Sequence, residues 1–164
     1  MFAYRHHFHA GNFADVFKHA LLSQLILSLQ KKVQPIVYVD THAGIGDYDL
    51  THPWAVKNKE FIQGVSRIFG CVDYPTEIGP YLGILSKDNE SGDLLKYPGS
   101  PIIARSLLRE QDRLILNEFN ASDSAQLKLV SQGWSKTEIR SEDGFRLTKS
   151  VLPPKERRGL IFMD

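Results

Sequence analysis

The stretch Pro35-Ile36-Val37-Tyr38-Val39-Asp40-Thr41-His42-Ala43-Gly44-Ile45-Gly46 decides the fold class. Its uninterrupted apolar run, residues 36–39, is typical of a strand buried on both faces of a parallel sheet. Asp40 ends this run, and the two glycines allow left-handed backbone angles and a close approach of a ligand. The stretch therefore predicts the first strand and the site loop of a mostly parallel α/β nucleotide-type domain.

Three further strand-and-helix units are predicted downstream, with strands over residues 114–118, 136–140 and 159–164. An acid stands at or just past the end of each predicted strand: Asp40, Glu118, Asp143 and Asp164. Ligands of open parallel sheets bind outside the carboxyl ends of the strands. Four acids there predict a cleft for a ligand rich in hydroxyls, amines and positive charge. Alternatively, the acids only cap the following helices or lie in turns.

A helix is predicted over residues 12–30, with Asn12 as its cap and Asp15 in its first turn. Five of its apolar residues follow the spacing of an amphipathic helix: Phe13, Val16, Phe17, Ala20 and Leu21.

The middle of the chain has a different pattern. Residues 47–53 are predicted as loop, and 54–69 and 75–88 as two amphipathic helices, the second interrupted by Gly79-Pro80 and Gly83. Ser100 can cap a further helix, with Pro101 at its first position.

Length, composition and cysteine content narrow the class of protein. The 164 residues suffice for one domain, and 42% hydrophobic with 24% charged residues is typical of soluble globular proteins. No stretch approaches the roughly 20 apolar residues of a membrane span, and the N-terminus lacks the apolar core of a signal peptide. Cys71 is the only cysteine, which excludes a disulfide framework and a cysteine metal cage. We expect a cytoplasmic protein with no membrane partner.

The net charge of +1 neither requires nor excludes a nucleic-acid partner. Two basic clusters could contact phosphate: Arg105, Arg109 and Arg113 at helical spacing, and Lys155, Arg157 and Arg158 close together. The alternative is that both clusters are ordinary solvated faces.

A dinucleotide-binding enzyme is disfavoured. Its fingerprint needs G-x-G-x-x-G and an acid about 20 residues further on at a strand end. Here no third glycine follows Gly46, and the next strand-end acid, Glu118, comes only after a long helical insertion.

Histidines are concentrated near the N-terminus and in the site loop: His6, His7, His9, His19 and His42. Imidazole is a common metal ligand, but no H-E-x-x-H motif or cysteine pair accompanies these residues, so we expect no metal. Another interpretation has His19 and His42 donating hydrogen bonds to a ligand carboxylate. We expect His6, His7 and His52 to be ordinary surface or packed histidines.

Several motifs together resemble one known family. They are Arg5-His6-His7-Phe8-His9-Ala10-Gly11-Asn12, Asp15-Val16-Phe17-Lys18-His19, Asp40-Thr41-His42-Ala43-Gly44, Tyr97-Pro98-Gly99-Ser100-Pro101, Leu107-Leu108-Arg109-Glu110-Gln111-Asp112 and Arg157-Arg158-Gly159-Leu160. They resemble the RlmJ family, bacterial methyltransferases that use S-adenosylmethionine to modify adenine N6 in 23S rRNA. The resemblance covers essentially the whole chain.

The resemblance implies a class I, Rossmann-like S-adenosylmethionine methyltransferase fold with a helical subdomain inserted after the first strand. Residues 1–46 would then hold the N-terminal helix, first strand and cofactor loop. Residues 47–96 would form the inserted subdomain, and 97–164 the remaining part of the methyltransferase domain.

Carried over position by position, the resemblance also implies the residues of the cofactor site. They are His19, His42, Ser100, Glu118, Asp143, Gly144 and Asp164. Glu118 would hold the ribose hydroxyls, Asp143-Gly144 the adenine, and His19 and Ser100 the methionine end. Tyr4 would contact the substrate RNA.

Asp164 resembles the first residue of the family's Asp-Pro-Pro-Tyr motif and would be catalytic. The exocyclic amine of adenine is a poor nucleophile because its lone pair is delocalised into the ring. A carboxylate that accepts a hydrogen bond from this amine localises the lone pair toward the methyl group, and no metal is required. The target base must first be turned out of the RNA helix.

The chain stops at Asp164, before the Pro-Pro-Tyr and before the second half of the family's sheet. We therefore expect residues 1–164 alone not to methylate RNA, and the full-length domain to be a monomer. The other interpretation is a non-catalytic RNA-binding or interaction module derived from a truncated methyltransferase.

Overall fold

The computed structural model describes residues 5–164, so Tyr4, the implied RNA contact, lies outside the described residues. In chain order the helices and strands are α1 (Phe13–Gln30), β1 (Val37–Asp40), β2 (Asp47–Asp49), α2 (Pro53–Asn58), α3 (Gly79–Asp88), β3 (Lys96–Pro98), α4 (Ser100–Leu107), β4 (Arg113–Asn117), α5 (Ala121–Val130), β5 (Thr137–Arg140), α6 (Gly144–Val151) and β6 (Gly159–Phe162). Short 3-10 helices lie at His6–Phe8, Glu60–Gln63, Val65–Arg67 and Thr76–Ile78.

The chain divides into two compact units. The first takes in the chain up to Gln24 together with residues 47–99, and the second comprises residues 25–46 and 100–164. Each unit has its own sheet, two-stranded in the first and four-stranded in the second.

The sheet of the second unit has the strand order β5-β4-β1-β6. Every neighbouring pair is parallel, and Val39 of β1 lies opposite Ile115 of β4 and Ile161 of β6. The prediction of an α/β fold with a parallel sheet is confirmed.

One face of this sheet packs against α6. The buried cluster there comprises Val37, Val39, Ile115, Leu147 and Val151, with Ile161 packed against it. Burying each such aliphatic side chain stabilises the fold by about 1.5–3 kcal/mol, so this cluster fixes α6 against the sheet.

Helix α1 begins as predicted, because the Asn12 side chain accepts a hydrogen bond from the amide of Asp15 at 2.9 Å. Its apolar spacing predicts the wrong buried side, however. Phe13 and Phe17 are 75% and 72% exposed. The residues that α1 buries are Asp15, His19, Leu22, Ser23 and Ile26.

The helix predicted over residues 54–69 is wrong. Helix α2 ends at Asn58 because Lys59 adopts a left-handed conformation, with φ 53°. Two short 3-10 helices then flank Gly64, where a Cβ would clash with the carbonyl oxygen of Gly11. The amide of Val65 donates to that same oxygen at 2.8 Å. A contact with a distant segment therefore sets this local structure.

Further details of the first unit differ from the predictions. The predicted loop at 47–53 contains β2, which pairs with β3 in antiparallel fashion and places Tyr48 opposite Tyr97. Gly79-Pro80 begins α3 instead of interrupting it, since a proline in the first turn needs no N–H partner. The interruption predicted at Gly83 is also wrong, because α3 continues through this residue.

Most of the arginines considered as phosphate contacts bind the protein itself. Arg109 donates to Asp112 and to the backbone carbonyl of Gln34, and Arg113 donates to Glu156 at 2.9 Å. Arg158 donates to a backbone carbonyl in the same unit. The phosphate interpretation is therefore disfavoured for these guanidinium groups. Between residues 5 and 164 we find no helix whose length and apolar character would let it cross a membrane.

Candidate active site

The four predicted acids lie at one edge of the parallel sheet. Asp40 is the last residue of β1, and Glu118 directly follows β4. Asp143 follows β5, and Asp164 follows β6. Since all four strands are parallel and in register, their carboxyl ends form a single edge. The predicted placement is confirmed, whereas the roles of these acids stay predictions.

Asp40 is fully buried and closely held. Its carboxylate accepts hydrogen bonds from the Tyr38 hydroxyl at 2.9 Å and from the His42 amide at 3.2 Å. Burial raises the pKa of Asp40 from 3.8 to about 6, although its hydrogen bonds, including one from Ser100, oppose the shift. The charge of Asp164 raises it further. Asp40 is therefore buried and hydrogen-bonded to the start of the loop, whereas Asp164 is exposed at the edge of the sheet.

Glu118 is fixed against the glycine loop. Its carboxylate accepts from the Gly44 amide at 2.9 Å and from the Asn120 amide at 2.8 Å. Gly44 and Gly46 have positive φ angles, 61° and 86°, so the loop needs the conformational freedom expected of them. Each oxygen keeps a further acceptor position, because a carboxylate has about four.

Asp143 and Gly144 form the N-terminus of α6. The Asp143 side chain caps this helix by accepting from the Arg146 amide at 2.9 Å. A Cβ on Gly144 would lie 3.0 Å from the carbonyl oxygen of Thr41 and 3.1 Å from Cε1 of His42. The structure therefore brings His42, Asp143 and Gly144 together in the second unit.

His19 is placed in the first unit. It is buried, and its Nδ1 lies 2.8 Å from the Tyr97 hydroxyl. That hydroxyl also lies 3.1 Å from the hydroxyl of Tyr81. The part of His19 in a cofactor site stays a prediction.

Two of the N-terminal histidines form hydrogen bonds to acids within the first unit. His6 Nε2 lies 3.0 Å from Asp15 Oδ2, and His9 Nδ1 lies 2.9 Å from Glu60 Oε1. Among the residues that the structure describes, histidine, cysteine and acidic side chains form no group of three or more that could hold a metal ion.

Some residues at the edge are not found by the strand-end pattern. Tyr38 and Asn117 are buried polar partners of the loops, and Phe119 and Phe145 are exposed rings, 72% and 64%. The two phenylalanines follow Glu118 and Gly144 directly in the chain. Each ring lies within two residues of a strand-end acid, Glu118 or Asp143, and this proximity in the chain is the available signal.

The family model "Ribosomal RNA large subunit methyltransferase D, RlmJ" matches residues 33–164. The chain belongs to the RlmJ family. The resemblance drawn from the motifs is thereby confirmed.

Two curated relatives in the RlmJ family are each named ribosomal RNA large subunit methyltransferase J. The chain is 47% identical over 164 residues to that of Escherichia coli strain K12, and 40% identical over 165 residues to that of Haemophilus influenzae. Each alignment covers 100% of this chain and 59% of the relative. The chain thus spans about three fifths of the length of these relatives.

The fold is also found in a solved structure. The crystal structure of protein LPL1258 from Legionella pneumophila superposes with a TM-score of 0.85 at 36% sequence identity. The match covers 95% of this chain and 57% of that chain.

Proposed function

We propose that the chain forms the cofactor-binding part of an enzyme that methylates adenine N6 in 23S rRNA with S-adenosylmethionine. The observation that carries the proposal is the row of four acids at the sheet edge, with Glu118 fixed against the glycine loop. Membership of the RlmJ family supports the reaction class. Because the substrate is ribosomal, we expect the protein to act in the cytoplasm. We expect the full-length domain to be a monomer.

Strand order supports a class I, Rossmann-like sheet. In chain order the four parallel strands of the second unit are arranged 3-2-1-4. This matches the first four strands of the Rossmann order. We assign residues 47–96 to a subdomain inserted after the first strand, between the regions 1–46 and 97–164.

The side chains at the edge of the sheet fit an adenosine. The free acceptor positions of Glu118 suit ribose hydroxyls, and the exposed carboxylate of Asp143 suits the adenine amino group. Gly144 removes the side chain that would otherwise meet the Thr41 carbonyl, and the rings of Phe119 and Phe145 offer apolar surface for the purine. We assign the methionine end to His19, His42 and Ser100.

Asp164 is the catalytic residue of the proposal. When bound, S-adenosylmethionine would supply an electrophilic methyl group on a sulfonium. The Asp164 carboxylate accepts a hydrogen bond from the adenine N6 amine and so localises the nitrogen lone pair. Tyr4 is assigned to the substrate RNA.

Calorimetric titration of S-adenosylmethionine into the protein tests the cofactor assignment. Asp143→Asn keeps a good helix cap but replaces one carboxylate acceptor with an amide donor, whereas Asp143→Ala removes both the cap and the charge. We expect both variants to bind the cofactor at least about tenfold more weakly, which corresponds to about 1.4 kcal/mol. Asp143→Asn should keep the wild-type unfolding free energy.

Asp93→Ala is the matched control, because Asp93 is an exposed loop acid of the first unit. It should leave the cofactor affinity unchanged. Absence of binding by the wild-type protein, or equal affinity in all three variants, would overturn the proposal. The reaction itself is measured as N6-methyladenosine in nucleosides digested from 23S rRNA.

A further inference from the structure

A cluster of aromatic and imidazole rings lies on the first unit, and we call it the aromatic face: His7, Phe8, His52 and Trp54. The Phe8 and Trp54 rings are stacked, with centroids 5.4 Å apart and an interplanar angle of 19°. The ring of His52 lies 4.6 Å from that of His7 and 5.1 Å from that of Trp54. The 3-10 helix His6–Phe8 and the start of α2 supply three of these rings.

The aromatic face remains accessible. Trp54 keeps 38% of its surface exposed despite its ring contacts, and the other three rings are half-buried. A tryptophan placed only to fill a core would be largely covered, because most of its stabilisation comes from buried area.

Cations surround these rings. The guanidinium carbon of Arg5 lies 5.7 Å from the centre of the Trp54 ring, and the Lys57 ammonium lies 5.9 Å from the centre of the Phe8 ring. Lys57 and Lys59 are both exposed. Among the described residues, no carboxylate forms an ion pair with either lysine.

Two acids of the first unit, Asp49 and Glu60, are already engaged by hydrogen bonds. Asp49 accepts hydrogen bonds from the amide and the hydroxyl of Thr51, at 2.8 Å and 2.6 Å. Glu60 accepts from His9 and Asn12. Both carboxylates keep their negative charge, but Arg5, Lys57 and Lys59 outnumber them on this surface.

We propose that the aromatic face binds an unpaired nucleotide of single-stranded RNA, with the base on the ring of Trp54 and phosphate oxygens at Lys57 and Lys59. The inference rests on the proposed function, since it names a surface for the RNA substrate. Exposed aromatic rings flanked by cations are the usual means of holding single strands, because every base has a face that stacks. An aliphatic peptide would not use the flanking cations, and a duplex would not offer a free base face.

Tryptophan fluorescence tests the stacking directly. The chain has two tryptophans, so Trp134→Phe leaves Trp54 as the sole emitter. Titration of this variant with a short single-stranded oligoadenylate should quench its emission to saturation. Trp54→Phe, which leaves Trp134 alone, should show no saturable quenching. Quenching of Trp134 alone, or of neither residue, overturns the inference.

Affinity for the same oligonucleotide separates the contributions of ring and charge. Trp54→Ala should weaken binding about tenfold or more. Lys57→Ala should lower the slope of log affinity against log salt by about 0.7, the share of one phosphate contact on a single strand. Lys87→Ala is the matched control, because Lys87 is an exposed lysine on α3, and it should change neither quantity.

Cofactor titration keeps this inference distinct from the proposed function. Trp54→Ala should bind S-adenosylmethionine as the wild-type protein does and keep the wild-type circular dichroism. If RNA quenches Trp54 but the protein does not bind S-adenosylmethionine, the methyltransferase proposal is overturned and the RNA-binding role of the aromatic face is supported. If the protein binds S-adenosylmethionine but RNA has no effect at Trp54, the role of the aromatic face is overturned and the methyltransferase proposal is supported.

Discussion

The side-chain amide of Asn117 donates a hydrogen bond to the backbone carbonyl of Thr41 at 3.0 Å. The same amide donates to the Glu142 carbonyl at 2.9 Å, and its oxygen accepts from the Glu142 amide at 3.0 Å. A single buried side chain at the end of β4 therefore ties the segment after β1 to the segment after β5. These segments carry His42, Asp143 and the start of α6.

Replacing this link should damage both stability and the site. Asn117→Ala leaves three backbone groups without their partners, and we expect the unfolding free energy to fall by about 2–4 kcal/mol. Urea denaturation measures this loss. Asn58→Ala, an exposed asparagine on α2, should change the unfolding free energy by less than about 0.5 kcal/mol. Equal effects of the two substitutions would contradict the bridging role of Asn117.

Asp112 joins the end of the α4 segment to the start of β1. Its carboxylate accepts from the amides of Ile36 and Arg109, both at 3.0 Å, and from Arg109 Nε at 2.9 Å. Burial alone would raise the pKa of Asp112, but the hydrogen bonds from Arg109 and Ile36 lower it. The carboxylate is therefore held ionised in a position that excludes water.

Asp112→Ala should lower the unfolding free energy by about 3–5 kcal/mol, because it leaves a guanidinium and two amides without their acceptor. The measurement is the urea midpoint at neutral pH. Glu110→Ala removes an exposed acid two residues away and serves as the control. If both variants unfold at the wild-type midpoint, the carboxylate of Asp112 is not a structural acceptor.

Much of the second unit could be predicted from local signals. The continuous apolar runs of β1, β4 and β6 consist of adjacent residues, so they can be recognised without knowledge of their partners in the fold. The cap at Asn12 in the first unit is a local signal of the same kind. The strand-end acids follow from the same runs, because parallel strands end at one edge.

Most of the wrong predictions depend on distant partners. Helix α1 buries Asp15 in place of Phe13, since the carboxylate is satisfied by the Gly11 amide at 2.8 Å and by Lys18 at 2.8 Å. The contact of Gly64 with Gly11 breaks the predicted helix over 54–69. Asn117 carries no local pattern at all, because its partners lie 76 and 25 residues away.

Asp40 makes stability depend on pH in an unusual direction. Its pKa is raised from 3.8 to about 6 in the folded protein. As pH rises, the unfolded chain loses this proton first, and the folded chain keeps it until about pH 6. The contribution of Asp40 to stability is therefore fully present below about pH 4, falls between about pH 4 and pH 6, and stays low above that.

Asp40→Asn removes this dependence. The unfolding free energy of the variant minus that of the wild-type protein should increase by about 2–2.5 kcal/mol between about pH 4 and about pH 7. Taking the difference cancels groups of opposite sign such as Asp15, whose pKa is lowered by its partners His6 and Lys18 although burial opposes this. A difference that does not change with pH would show that folding does not raise the pKa of Asp40.

Gly144 should be essential to the site for a steric reason. A Cβ there would lie 3.0 Å from the Thr41 carbonyl oxygen, which is backbone and cannot turn aside. Gly144→Ala should therefore move the start of α6 away from the loop, cost about 1 kcal/mol of stability and weaken S-adenosylmethionine binding.

Gly83→Ala is the control, because a Cβ at this helical glycine meets nothing within 4 Å. It should stabilise the protein by up to about 1 kcal/mol, as alanine restricts the unfolded chain, and leave cofactor affinity unchanged. Differential scanning calorimetry and cofactor titration on both variants measure the two effects, and an unchanged affinity in Gly144→Ala would show that the cofactor does not depend on this contact.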